Sequence, residues 1–175
     1  MRATADASSV RRFLHSLGRE ARGPATVYLV GGATAVLEGW RPTTVDVDLR
    51  IEPELEEVMR ALPSLKERLQ INVELASPLD FLPEPPGWRD RSPFVMQEGP
   101  LTIRHMDPVL QALAKLERAF DQDLADVSAM LARGLVEPGA LLTALAAIEP
   151  LLYRFPTVDP TALRAAVERA LADAR

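Results

Sequence analysis

The run YLVGGATAVLEGWRPTTVDVDLRIE, residues 28–52, constrains the fold more than any other part of the chain. Residues 26–30 are apolar and rich in β-forming types, which predicts a buried strand. That strand ends on Gly31-Gly32, a pair suited to a tight turn because glycine accepts positive φ. Residues 33–38 have room for one to two helical turns, and Gly39 stops them. Residues 45–51 then alternate strictly. Val45, Val47, Leu49 and Ile51 fall on one face, and Asp46, Asp48 and Arg50 on the other. The predicted unit is strand, glycine turn, short helix, strand. It sets two carboxylates on one face of a strand, about 7 Å apart.

The remainder supplies more strands and then helices. Residues 10–20 carry Val10, Phe13, Leu14 and Leu17 at helical spacing, and Gly23-Pro24 breaks the pattern. A helix is expected over 54–62, ended by Pro63, with Ser64 capping a further short one. Residues 70–76 read as a third strand, with Ile71, Val73 and Leu75 on one face and Asn72 and Glu74 on the other. A proline-rich loop, SPLDFLPEPPGWRDRS, follows. Residues 94–97 and 101–105 flank Glu98-Gly99 as a hairpin. From Asp107-Pro108 the texture is helical, with further helices over 121–131, 138–148 and 159–172. The class is α+β: a small mixed-sheet core with flanking helices over residues 1–105, and a C-terminal helical region over 106–175 packed on it.

Composition narrows the function classes. A chain of 175 residues can bury a sizeable core. With no cysteine, a disulfide framework and thiolate metal sites are excluded, which fits a reducing cytoplasm. The N-terminal residues lack the apolar core of a signal peptide, and no apolar run reaches the roughly 18 residues of a membrane span. The expectation is a cytoplasmic protein. A net charge of −5 argues against an overall basic nucleic-acid binder.

The chemistry follows from the acids. If the strands bearing Asp46, Asp48 and Glu74 are neighbours, three carboxylates converge on one patch. Like charges that close repel, and a cation is the usual compensation. All-oxygen ligands point to Mg²⁺ or Mn²⁺, ions able to clamp a phosphoryl group. The Gly31-Gly32 turn allows close approach of a phosphate to bare backbone N–H groups, and Thr43 or Thr44 offers a hydroxyl beside it. Two other glycine motifs fail: Gly31 to Val36 does not match G-x-G-x-x-G, and no G-K-[ST] ends a P-loop. On the acid pair alone, a sugar-nucleotide transferase metal site stays open.

The stretch LVGGATAVLEGWRPTTVDVDL resembles the first motif of the DNA polymerase β-like nucleotidyltransferases. The nearest subgroup in resemblance is the small bacterial DUF6036 and AbiEii-toxin type, including MenT-like toxins. The resemblance spans about residues 26–130. It implies that Asp46 and Asp48 bind the metals and that Glu74 completes the set. LAKLERAFDQDLADVSAML resembles a later block, which implies that Lys115 binds the nucleotide's phosphates and that Asp123 or Asp126 is a further site residue. Arg41 is implied to contact the nucleotide or to order its loop. Arg89, Arg91 and Trp88 are candidates for reaching phosphates or stacking on a base. The implied activity moves an NMP from an NTP to an acceptor hydroxyl. A tRNA 3′ end or a protein is the implied acceptor, with a cognate antitoxin as partner. A small-molecule acceptor of the antibiotic type is the enzymatic alternative, and a non-catalytic nucleotide-binding or interaction module is the rival from another class.

Overall fold

The structure is a computed structural model that describes residues 3–175. Its elements run α1 (Ala7–Glu20), β1 (Ala25–Val30), α2 (Gly32–Glu38), β2 (Asp46–Glu52), α3 (Glu56–Leu69), β3 (Asn72–Leu75), β4 (Phe94–Glu98), β5 (Leu101–His105), α4 (Pro108–Arg118), α5 (Asp121–Ala132), α6 (Pro138–Ile148) and α7 (Pro160–Asp173). Short 3-10 segments cover Pro78–Asp80 and Glu149–Arg154. The class is α+β, as the order of elements predicts. The chain divides into two compact units. One comprises the residues up to Ser77 together with Ser92–His105, and the other comprises Pro78–Arg91 together with Met106–Arg175.

The first unit is built on a five-stranded mixed sheet, ordered β3-β2-β1-β5-β4. β1 runs antiparallel to β2 and parallel to β5, while β3 runs parallel to β2. One sheet face packs on α1 and α3. Val27, Leu29, Val47, Leu49 and Ile51 meet Val10, Phe13, Leu14 and Leu17 of α1 and Val58, Leu62 and Leu65 of α3 in one buried cluster. Each such side chain removed from water contributes roughly 1.5–3 kcal/mol. The other face of β2 bears Asp46, Asp48, Arg50 and Glu52, all half-buried in alternation with the core residues.

Three local expectations change. Pro63 does not end a helix, because α3 continues through it. The apolar period Val58, Leu62, Leu65 runs across the exposed proline, so core burial outweighs the one lost backbone bond. Ser64 is therefore no cap, and its hydroxyl donates to the Ala61 carbonyl. Val45 precedes β2 and is 45% exposed, while Leu75 ends the edge strand β3 at 49% exposed. The alternation at both sites outruns the core.

The second unit gathers α4–α7. Leu110, Leu113 and Leu116 of α4, Val127 and Met130 of α5, Leu141, Leu145 and Ile148 of α6, and Leu163 and Val167 of α7 are buried. The proline-rich loop belongs with these helices rather than with residues 1–105. Arg91 ties it there: Nε and Nη2 donate to Asp107 Oδ2 at 3.0 and 2.7 Å, and Nη1 donates to the Pro86 carbonyl at 2.7 Å. Asp107 is fully buried and caps α4 by accepting from the Val109 N–H at 3.0 Å.

Candidate active site

The glycine turn and the acids meet in the first unit. Gly31 caps α2 with φ 58°, a left-handed value that favours glycine. A Cβ placed on Gly31 would stand 3.5 Å from an Asp48 carboxylate oxygen, so the turn lies directly against that acid. A Cβ on Gly32 would stand 2.0 Å from Thr44 Oγ1 and 2.7 Å from Thr44 Cβ, which leaves room for glycine alone. Thr44 is buried, and its hydroxyl donates to the Asp46 carbonyl at 2.9 Å. Its backbone exchanges two hydrogen bonds with Ala5, at 2.7 and 2.9 Å. Thr44 thus braces the loop that leads into β2. The hydroxyl expected to serve a phosphate is here engaged within the loop. Arg41 lies half-buried in the same loop, with its backbone N–H on the Ala35 carbonyl at 3.3 Å.

Strand register decides what faces the acids. Asp48 sits opposite Glu74 on β3 and Val30 on β1, and Asp46 sits opposite Asn72. Paired residues on adjacent strands share a face about 4.8 Å apart. The strands that bear Asp46, Asp48 and Glu74 are therefore neighbours in the sheet. Between Asp46 and Glu74 lies a residue that was not singled out from the sequence. The Asn72 amide nitrogen donates to Asp46 Oδ1 and lies 3.5 Å from Glu74 Oε1. Strand alternation in residues 70–76 already put Asn72 on the acid face; only its acid neighbours drew notice. Among the described residues, no three His, Cys, Asp or Glu side chains gather closely enough to hold a cation. The set at hand is two aspartates on one strand face, all-oxygen, beside a glycine turn. It fits a hard divalent cation that takes one or two carboxylates and completes its shell with water and substrate phosphate. It does not provide Glu74 as a third ligand in this arrangement.

Residues 9–155 match the family described as a nucleotidyltransferase of unknown function, DUF6036. The chain belongs to that family. No curated protein and no solved structure matches it. The strand, glycine turn, helix and acid-bearing strand of this DUF6036 protein all fall inside the matched residues, and α7 falls outside them. Among the described residues no helix is long and apolar enough to cross a membrane.

The later block of the DUF6036 chain lies in the second unit. Lys115 is buried, and its ammonium sits 2.7 Å from Asp126 Oδ2 and 3.7 Å from Asp123 Oδ1. Arg118 donates to both oxygens of Asp123, at 2.6 and 3.2 Å, and Gln122 donates to Asp126 at 3.2 Å. Both aspartates therefore partner Lys115, with Asp126 the nearer. Buried Lys115 and the exposed Arg118 thus face the two buried aspartates. The residues expected to meet the nucleotide, Lys115, Asp123 and Asp126, are thus paired with one another in this structure. The loop candidates are likewise engaged. Trp88 is buried with its Nε1 on Glu84 at 2.5 Å, and Arg89 stacks over it at 4.4 Å while bridging to Glu84.

The first unit holds a second polar cluster. His105, 4% exposed at the end of β5, has Nδ1 3.1 Å from Thr34 Oγ1 and Nε2 2.9 Å from Glu38 Oε1, both on α2. Burial pushes the imidazole below its ordinary pKa of 6.5, and the Glu38 carboxylate acts against that shift. A lone histidine at a strand end carries no ligand spacing, and only tertiary packing brings the i, i+4 pair of α2 onto it.

Proposed function

We propose that this nucleotidyltransferase is metal-dependent and transfers an NMP from an NTP to an acceptor hydroxyl. The observation that carries the reading is the Asp48 carboxylate lying against the Gly31 turn with Asp46 on the same strand face. Asp46 and Asp48 hold Mg²⁺ or Mn²⁺, which when bound supplies charge neutralisation for the transferred phosphoryl group. The backbone of the Gly31-Gly32 turn binds the phosphates. The acceptor oxygen bonds to the α-phosphorus, the bond from that phosphorus to the bridging oxygen breaks, and pyrophosphate leaves. Glu74, exposed and opposite Asp48, takes the acceptor's proton.

The acceptor proposed is a tRNA 3′ end, with the chain acting as the toxin of a toxin–antitoxin pair in the cytoplasm. The net charge of −5 favours a second reading, a small-molecule acceptor, because tRNA phosphates call for a basic field. Incubation with labelled NTPs, Mg²⁺ and either total tRNA or a panel of small hydroxyl-bearing acceptors tests both, beside an Asp46→Ala control. Label on tRNA that the control abolishes supports the first reading, and label only on a small acceptor supports the second. If no NTP binds and no acceptor is labelled, the chain is a non-catalytic module.

A further inference from the structure

Asn72 occupies a position where a carboxylate would make a very different site. It pairs with Asp46 in the parallel register of β2 and β3, so its side chain rises on the acid face. Its amide approaches two carboxylates, Asp46 and Glu74. Ionised carboxylates only accept hydrogen bonds, so the NH₂ group must be the end that faces them. The amide thereby holds Asp46 in one orientation without adding charge. Beyond Asp48 on this face of β2, Arg50 is turned to Glu52 at 2.8 Å.

We propose that Asn72 is a positioning residue that sets the number of carboxylates in the cation site: it holds Asp46, keeps Glu74 out of the ligand set, and so makes cation binding depend on the substrate's phosphates. This rests on the reading of Asp46 and Asp48 as cation ligands. Mg²⁺ gives up its water reluctantly and is commonly held by one or two carboxylates plus substrate phosphates rather than by an all-protein cage. A two-aspartate site is of that kind, and cation and NTP then enter together. An aspartate at position 72 would set a third carboxylate beside Asp46 at strand spacing, about 4.8 Å away. That raises repulsion in the empty site and raises affinity for a divalent cation on its own.

The test is Mn²⁺ binding to the full chain, followed by titration calorimetry and by the Mn²⁺ spin-resonance signal, with and without an NTP analogue that cannot be cleaved between the α- and β-phosphates. Wild type is expected to bind Mn²⁺ at least tenfold more tightly with the analogue than without it. Asn72→Asp is expected to bind Mn²⁺ alone at least tenfold more tightly than wild type, and Mn²⁺ alone is expected to raise its Tm more than it raises that of wild type. Unchanged affinity in Asn72→Asp, with wild-type binding still abolished by Asp46→Ala, overturns the role of Asn72 and leaves the acids as ligands. Absence of Mn²⁺ binding in every protein, with or without the analogue, overturns both. Should Asn72→Asp fail to fold, Asn72→Ser decides. Loss of at least tenfold in Mn²⁺ affinity in the presence of the analogue, at unchanged Tm, supports the proposal, and wild-type affinity overturns it.

Discussion

Two groups of acids in this chain look alike on paper and differ in kind. Asp46 and Asp48 stand two apart on a strand; Asp123 and Asp126 stand three apart on a helix, and each spacing keeps its pair on one face. In the second unit both acids are buried and matched by Lys115 and Arg118, so the group is internally neutral. In the first unit the acids are half-buried, and the neutral Asn72 amide is one of the groups that contact the Asp46 carboxylate. The buried group is matched within the helices, while the strand-face acids stand half-buried beside the Gly31 turn. Acid spacing therefore says which carboxylates travel together, and only the surroundings say whether they are already answered.

The comparison breaks first, and by the largest margin, at Lys115. Lys115→Met leaves Asp126 buried without its cation and is expected to cost about 3–5 kcal/mol in chemical denaturation. Adding Asp126→Leu should recover most of that, because a buried pair can be exchanged for packed apolar groups at little net cost. If Lys115→Met is instead as stable as wild type but inactive in NMP transfer, the network is a site and not a brace. Asp46→Asn should behave in the opposite way. NMP transfer should fall by at least ~10²-fold, the scale on which even outer partners of a metal act. Denaturation midpoints should hold or rise, since a repulsion with Asp48 is relieved. A loss of several kcal/mol there would make the strand face as structural as the helical network.

Gly32→Ala sharpens the link between the turn and the acids. Its Cβ would collide with Thr44, and overpacking of that kind costs typically ~1–3 kcal/mol. In the double variant with Thr44→Ala the cost should be smaller than the sum of the two single ones, as expected for residues in contact. The smallest effect concerns His105. Its folded pKa lies below 6.5, so the unfolded chain takes up the proton first. The contribution of His105 to stability is thus full above pH 6.5 and declines as pH falls through the folded value. Denaturation between pH 8 and pH 5 should show that slope, and His105→Gln should flatten it.

Most of the fold was legible because local physics dictates it. The alternation of Val47, Leu49 and Ile51 against Asp46, Asp48 and Arg50 needs only the two-residue period of a strand, and the Gly31-Gly32 turn needs only the freedom of glycine at positive φ. Pro63 misled because a helix-breaking residue is judged locally, whereas the stripe on either side of it is held by a core that lies elsewhere in sequence. Leu75 and Val45 misled for the converse reason: their pattern persists where the core has ended.

What the sequence determined by itself is the α+β class and the pairing of a glycine turn with two aspartates on one strand face. Those depend on neighbours within a few residues. What the tertiary structure alone decided is the company each charge keeps. Asn72 was set beside Asp46 by the β2–β3 register, Lys115 was enclosed between Asp123 and Asp126 by the packing of α4 on α5, and His105 was brought to Thr34 across 71 residues of chain, with Glu38 of the same helix beside it. Hydrogen bonds and ion pairs act over about 3 Å, and no period in a sequence reports which distant residue will stand that close.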